Sequence, residues 1–184
     1  MISSIRFKRV QKDIKKLKHS HYEVEINPQD PNEIWVILKG PKDTLYQRGI
    51  WRVRVFFTKQ YPYKSPSIGF TNKIFHPNID LNSGSICLDV LNQKWTPIFE
   101  LKNVFDNFLP QLLRYPNADD PLNVDAADLM KNDLEEYKRQ VLTYTRKYSL
   151  QKIEARSGRG VERKQRKVST DDEMECASVI SGES

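Results

Sequence analysis

The stretch IWRVRVFFTKQYPYKSPSIGF, residues Ile50–Phe70, decides the fold. Its first half alternates apolar and polar side chains, which predicts a half-buried β-strand. Two prolines then interrupt the chain, and the short segment SIGF (Ser67–Phe70) that follows them is predicted to be an edge strand. Two more strands are predicted upstream, at Tyr22–Asn27 and Glu33–Gly40. Turn residues separate the first three strands, and this favours an antiparallel meander of four strands.

Helical spacing of apolar residues flanks the predicted sheet. Residues 3–19 are predicted to form an amphipathic helix, whose apolar face is formed by Phe7, Val10, Ile14 and Leu17. Downstream, Glu100–Tyr115 is predicted to be a helix that Pro110 bends or locally breaks. A short helix capped by Asn123 follows, and then a last one over Leu134–Tyr148, with Asn132 and Glu135 spaced as a capping box.

The order of these elements predicts an α+β domain: an N-terminal helix, a four-stranded antiparallel meander, and then C-terminal helices. The domain is expected to span residues 1–148. From residue 149 the apolar spacing disappears, and residues 149–184 are predicted to be a disordered tail that is first basic and then acidic.

The composition limits where the protein acts. No run of 18 apolar residues exists, and the N-terminus lacks the apolar core of a secretory signal, so no membrane association is expected. The two cysteines, Cys87 and Cys176, lie in different contexts and do not suggest a disulfide. A cytoplasmic or nuclear location is therefore expected.

Positive charge is concentrated at the N-terminus. Residues 1–19 carry seven Lys and Arg and one Asp, and so account for the whole formal net charge of +6. Such a face suggests an acidic partner surface, although it could equally be a solvated helix face. No Gly-rich or aromatic-stacking motif accompanies the basic residues, so no direct nucleic-acid contact is expected.

The irregular segment KIFHPNIDLNSGSICLDVLNQKWTP, residues 73–97, contains the chemistry. Cys87 is a candidate nucleophile there, although residue type alone favours a buried structural cysteine. No second cysteine or histidine cluster accompanies it, so no metal site is expected. His76 is the only nearby histidine, and because Pro77 follows it, it is interpreted as a structural residue. A cysteine hydrolase, which needs a base paired with the thiol, is therefore disfavoured.

Several motifs together resemble the ubiquitin-conjugating enzyme family. HPNI (His76–Ile79), ICLD (Ile86–Asp89) and the W-x-P at Trp95–Pro97 are similar to its active-site signature. Upstream, Gly40–Phe70 resembles the family's GP-x-x-TPY and YP-x-x-PP stretches, although TPY reads Thr-Leu-Tyr here. YPNADDPLN (Tyr115–Asn123) and the E-Y pair at residues 136–137 follow in the family's order. The stretches YPYKSPSIGFTNKIFHPNID, CLDVLNQKWT and FLPQLLRYPN look closest to the H-type subclass of the family.

The resemblance implies a UBC-like fold and an acyltransferase. Cys87 would accept ubiquitin from an activating enzyme as a thioester and pass it to a substrate lysine. Asn78 would donate to the oxyanion or, alternatively, brace the loop. Asp120 or Asp89 would orient the lysine, unless either is only a turn carboxylate. No cofactor is expected, because ATP is used by the activating enzyme.

The resemblance also implies partner surfaces. Lys8, Arg9 and Lys12 would bind the activating enzyme, and Tyr63, Pro97 and Ile98 would bind a ubiquitin ligase of the RING or CTLH type, although Tyr63 could be half-buried instead. The subclass implies histones as substrates, but the tail is not strongly acidic as in the H-type. Two alternatives stay open: an enzyme for another ubiquitin-like modifier, and a non-catalytic ubiquitin-binding variant of the fold.

Overall fold

A computed structural model describes residues 2–87, 91 and 95–150. Helix α1 (Ile2–His19) is followed by strands β1 (Val24–Ile26), β2 (Glu33–Lys39), β3 (Ile50–Phe56) and β4 (Ser67–Phe70). After the irregular segment the chain forms α2 (Leu101–Asn103), a π-helical turn (Val104–Phe108), α3 (Leu109–Arg114), α4 (Val124–Asn132) and α5 (Leu134–Tyr148). The predicted tail lies outside the described residues, apart from Ser149 and Leu150.

The four strands form one antiparallel sheet in the order β1-β2-β3-β4, so the predicted meander is confirmed. Alternate residues of each long strand point to one face, which packs against the helices, as in the buried set of Val36, Val53 and Phe70 that are paired across three strands. The predicted fold class is confirmed.

Helix α1 packs onto this core through Val10, Ile14 and Leu17, which are all buried. The prediction that Phe7 belongs to the same face is wrong, because 59% of its surface is exposed. Asp13 is buried instead, and its carboxylate accepts hydrogen bonds from the Arg9 guanidinium and the Tyr61 hydroxyl. One buried position of α1 is therefore taken by a hydrogen-bonded carboxylate, which the spacing of apolar residues does not reveal.

The predicted helix over residues 100–115 is present but is not regular. A π-helical turn, Val104–Phe108, comes just before Leu109 and Pro110. Proline has no N–H and its ring crowds the carbonyl four residues earlier, so a wider turn at this point relieves the conflict. The predicted disturbance at Pro110 is thereby confirmed.

The predicted N-terminal cap is confirmed for α4 but not for α5. Asn123 caps α4 by accepting from the backbone N–H of Ala126 at 3.1 Å, as expected. The capping box predicted at Asn132 and Glu135 is wrong by one position. Asp133 caps α5, and its carboxylate accepts from the backbone N–H of Glu136 at 3.0 Å.

Candidate active site

A single β-bridge organises the segment that contains Cys87. Ile79 pairs with Ile86 in antiparallel fashion, and both side chains are buried. Asn78 precedes Ile79 and Cys87 follows Ile86, so the bridge brings the two residues to the same end, and both line one cavity. Residues 79–86 therefore form a loop whose two ends are joined by the bridge.

Gly84 makes the return of this loop possible. Its φ is +69°, and a Cβ there would lie 1.9 Å from the carbonyl oxygen of Phe70 at the end of β4. The Phe70 N–H donates to Gly84 O at 2.8 Å, and the Gly84 N–H donates to Asp80 O at 2.9 Å. Only glycine fits both the left-handed backbone and the close approach to the sheet. The loop that ends at Cys87 is therefore anchored on β4.

His76 is a fully buried member of the hydrogen-bond framework. Its Nε2–H donates to Leu112 O at 3.0 Å, and its Nδ1 accepts the backbone N–H of Asn78 at the same distance. These two partners fix the tautomer, because one can only accept and the other can only donate. Burial lowers the pKa of His76 to about 4, so the ring is neutral near pH 7. Its neighbour Pro77 accepts the backbone N–H groups of Leu122 and Asn123 at 2.8 and 2.9 Å.

Asn78 connects the Cys87 loop to the loop of residues 115–123. Its Nδ2 donates to Asn117 O at 2.7 Å and to Asp120 O at 3.1 Å. Its Oδ1 accepts the backbone N–H of Asn117 at 2.8 Å. Both N–H donors of the amide are therefore engaged with loop carbonyls. Asn78 as a whole residue is buried, with 8% of its surface exposed.

A cavity of about 240 Å³ joins these pieces. It is lined by Asn78, Ile86, Cys87, Phe108, Gln111, Leu112, Tyr115, Asn117, Asp120 and Leu122. Cys87 is partly exposed there, and Asp120 is exposed. Three predicted site residues, Cys87, Asn78 and Asp120, therefore meet at one cavity. Asp89, the other acidic residue that was predicted, lies outside the described residues.

Among the lining residues that were not predicted as site residues, two are both large and well exposed. Tyr115 and Leu122 are large apolar side chains, and they are 72% and 41% exposed. An available signal was their position at the two ends of the YPNADDPL stretch (residues 115–122), on either side of Asp120.

The comparisons with known proteins agree on one family. The model described as "Ubiquitin-conjugating enzyme" matches residues 6–145. The chain belongs to the ubiquitin-conjugating enzyme family. Members of this family are transferases that carry ubiquitin as a thioester, so the predicted function and enzyme class are confirmed. Ubiquitin, an activating enzyme and a ligase are the partners that the family implies.

Curated relatives and solved structures support this. The chain is 54% identical over 142 residues to "Ubiquitin-conjugating enzyme E2-23 kDa" of Triticum aestivum, covering 77% of each chain. It is 47% identical over 167 residues to "Ubiquitin-conjugating enzyme E2 5" of Arabidopsis thaliana, covering 91% of this chain and 85% of the relative. A crystal structure of a putative ubiquitin conjugating enzyme from Plasmodium yoelii has a TM-score of 0.72 and 28% identity, covering 78% of this chain and 95% of that one.

The side chains predicted to bind a ligase lie on two neighbouring loops of this ubiquitin-conjugating enzyme. Tyr63 is 71% exposed and Ile98 is 89% exposed, and Pro97 is exposed beside it. The indole N–H of the buried Trp95 donates to Pro62 O at 2.8 Å and so joins the two loops. Tyr63 is not half-buried, which was the alternative considered for it.

The basic residues of α1 differ in their surroundings. Lys8 and Lys12 are exposed. Arg9 is not free, because its guanidinium donates to the Asp13 carboxylate at 2.7 Å and to Pro97 O and Phe99 O at 2.5 and 2.7 Å. Arg9 thus ties α1 to the second of the two loops.

In the part of the chain that the structure describes, no helix is long and apolar enough to cross a membrane.

Proposed function

We propose that Cys87 is the residue that carries ubiquitin in this enzyme. The observation that carries the proposal is the cavity that Cys87 shares with Asn78 and Asp120. A partly exposed thiol at a cavity is accessible to the activated carboxyl group of ubiquitin. No base is needed beside it for charging, because one thiol replaces another and the acyl group stays activated. The neutral, fully hydrogen-bonded His76 is then a structural residue, as is Pro77.

Asp120 is proposed to orient the incoming lysine. Lysine is protonated near neutral pH, with a reference pKa of about 10.4, and must lose a proton to attack. Asp120 is the only carboxylate among the described residues that line the Cys87 cavity. Asp89 keeps the same role as an alternative, since it follows Cys87 by two positions.

For Asn78 the observed geometry supports bracing more directly than oxyanion donation. Its two N–H donors bind the carbonyls of Asn117 and Asp120, so donation to an oxyanion requires that one of these bonds is released. A brace of this kind fixes the loop that contains Asp120. We therefore propose that Asn78 acts on the lysine step at least through the position of Asp120.

A charging assay tests the assignment of Cys87. The protein is mixed with ubiquitin, its activating enzyme and ATP, and examined on a non-reducing gel. Wild type and Cys176→Ser should form an adduct that thiols cleave, and Cys87→Ala should form none. Cys87→Ser should form an oxyester that thiols do not cleave. An adduct that persists in Cys87→Ala would overturn the assignment, and an adduct only with another ubiquitin-like protein would change the modifier.

Discharge of the purified thioester to free lysine tests Asp120. Asp120→Asn should charge normally but discharge about 10²-fold more slowly, within the range typical of general-base contributions. Asp119→Asn is a matched control, because Asp119 is the adjacent carboxylate but is paired with Lys131 at 2.9 Å and does not line the cavity. Equal discharge by the two variants would remove Asp120 from the mechanism.

The partners are proposed from the same resemblance. Tyr63, Pro97 and Ile98 would bind a RING or CTLH-type ligase, because an exposed aromatic beside an exposed aliphatic side chain makes a compact apolar hot spot. The H-type subclass, and histones as acceptor proteins, are proposals that rest on the sequence motifs. We also propose that the enzyme needs no cofactor of its own and acts in the cytoplasm or nucleus.

A further inference from the structure

Tyr115 has an unusual position for a large aromatic residue. It follows the last residue of α3, lines the Cys87 cavity and is 72% exposed. Within the described ranges, no ring, ion or hydrogen-bond contact is made by its side chain. A ring exposed in this way contributes little to the stability of the folded domain, and its face is available to a ligand in the cavity.

The backbone around Tyr115 is fixed on both sides. Its N–H donates to Gln111 O at 2.9 Å, which ends the helix. Pro116 follows and disfavours a helical backbone at Tyr115, whose φ and ψ are −126° and 71°. Asn117, the next residue, is held by hydrogen bonds with the Asn78 side chain in both directions. The backbone that carries the ring is therefore held in place at the cavity that Cys87 also lines.

The other walls of the cavity define what would fit beside this ring. Ile86, Phe108, Leu112 and Leu122 are apolar, and Asp120 contributes a carboxylate. Apolar walls suit a methylene stem, and an aromatic face together with a carboxylate suits a cation. An ammonium over a tyrosine face gains about 0.5–2 kcal/mol, depending on how far it is desolvated. The chemistry that fits is that of an alkylammonium group, such as a lysine side chain.

We propose that Tyr115 is a positioning residue for the acceptor lysine. This rests on the proposed function of Cys87 and deepens it. The ring covers the methylene stem and faces the ammonium until Asp120 or solvent accepts a proton. The neutral amine then attacks the thioester carbonyl, a C–N bond forms, the C–S bond breaks, and the Cys87 sulfur leaves as a thiolate. The second proton that the nitrogen loses on becoming an amide goes to solvent. Tyr115 takes no part in these bond changes and acts only on the position of the amine.

Leu122 provides a comparison within the same cavity. It is 41% exposed and has no π-system, so it can contact the stem but cannot attract the charge. Removing its side chain should therefore affect lysine binding less than removal of the Tyr115 ring. Phenylalanine at position 115 should retain the effect, since the aromatic face is kept.

Single-turnover discharge of the full-length thioester separates these contributions. Each variant is charged, charging is stopped by removing ATP, and the rate is measured against the concentration of free lysine. Tyr115→Ala should raise the KM for lysine about 3- to 10-fold, the range expected for a partly exposed cation–π contact. Tyr115→Phe should stay within about 2-fold of wild type, and Tyr115→Leu, which can contact the stem but has no aromatic face, should give a KM between those of the phenylalanine and alanine variants. Leu142→Ala, which removes an exposed side chain on α5, is the matched control.

Hydroxylamine is the second nucleophile, and it reports on the thioester alone. It is small, has no methylene stem and is uncharged near pH 7, so its discharge rate should be the same in all these variants. An unchanged lysine KM in Tyr115→Ala would overturn the proposal. Equal losses with lysine and hydroxylamine would also overturn it, since they would indicate a damaged loop. If wild type forms no thioester at all, it is instead the assignment of Cys87 that fails.

Discussion

At the scale of single residues, His76 of the HPN motif stabilises the active-site loop through hydrogen bonds to the backbone. The ring is fully buried, and both nitrogens bind backbone groups, one in the α3 helix and one at Asn78. Protonation would replace the Nδ1 lone pair that accepts the Asn78 N–H by a donor, so it breaks a contact as well as burying a charge. The stability of the active-site loop is therefore linked to the neutral state of His76.

The first prediction follows from the pKa of this residue. Burial lowers the pKa of His76 from 6.5 to about 4, so between these values the unfolded chain binds a proton that the folded chain does not. The contribution of His76 to the free energy of unfolding should therefore be complete above about pH 6.5. It should decrease by about 3 kcal/mol as the pH falls towards 4. Urea denaturation at pH 7, 6, 5 and 4.5 measures the decrease.

The other two histidines supply the control for this prediction. His19 and His21 lie at the end of α1, and His21 has a positive φ of 66°, so asparagine is the replacement that tolerates its backbone. A His19→Gln/His21→Asn variant should keep the same loss of stability on acidification. A variant that loses the pH dependence would assign it to these surface residues and contradict the role given to His76.

At the scale of secondary-structure elements, the start of α5 separates two adjacent residues. Asp133 is the observed cap, whereas Asn132 is the last residue of α4 and was the predicted cap. Asp133→Ala should lower the free energy of unfolding by about 1 kcal/mol, because the Glu136 N–H loses its acceptor and the helix dipole loses a favourable charge. Asn132→Ala, measured by the same denaturation, should change it much less. Equal effects would show that the observed capping contact contributes nothing of its own.

The elements that the sequence predicted correctly are those with a repeating pattern. The alternation in IWRVRVF specifies β3 (Ile50–Phe56) without tertiary information, because each second residue must face the core. The cap of α5 was misplaced by one residue because Asn132 and Asp133 are both good capping residues and neither repeats. The exposure of Phe7 was missed because the buried face of α1 begins only at Val10, and helical spacing of apolar residues does not show where along a helix burial begins.

The sequence predicted which residues belong to the active site, but not the contacts that they make there. The motif placed Cys87, Asn78 and Asp120 in one function, but it could not show that Asn78 uses its whole amide on the loop of residues 115–123. The Ile79–Ile86 bridge involves one residue pair and leaves no periodic signal. Tyr115 was missed for a related reason, since the exposure of a residue after a helix depends on contacts that are distant in sequence.

At the scale of the whole molecule, charge is distributed unevenly, with the excess on α1. The structure divides these basic residues into two kinds. Lys8 and Lys12 project into solvent, whereas Arg9 is held by the buried Asp13 and by two carbonyls of the loop at Pro97–Phe99. The first kind is available to an acidic partner, and the second holds the domain together. An Arg9 variant would therefore report on stability before it reports on binding.

The last prediction uses this difference. Lys8→Glu/Lys12→Glu should slow charging by the activating enzyme with little change in the free energy of unfolding, and the wild-type charging rate should fall as salt rises from 50 to about 500 mM, because screening shortens the range of attraction. Lys39→Glu/Lys42→Glu reverses two exposed charges elsewhere and should charge normally. Arg9→Gln should instead lower the free energy of unfolding by about 3 kcal/mol, since the buried Asp13 loses its cation. Charging that is independent of salt and unchanged in the α1 variant would make Lys8 and Lys12 ordinary solvated residues.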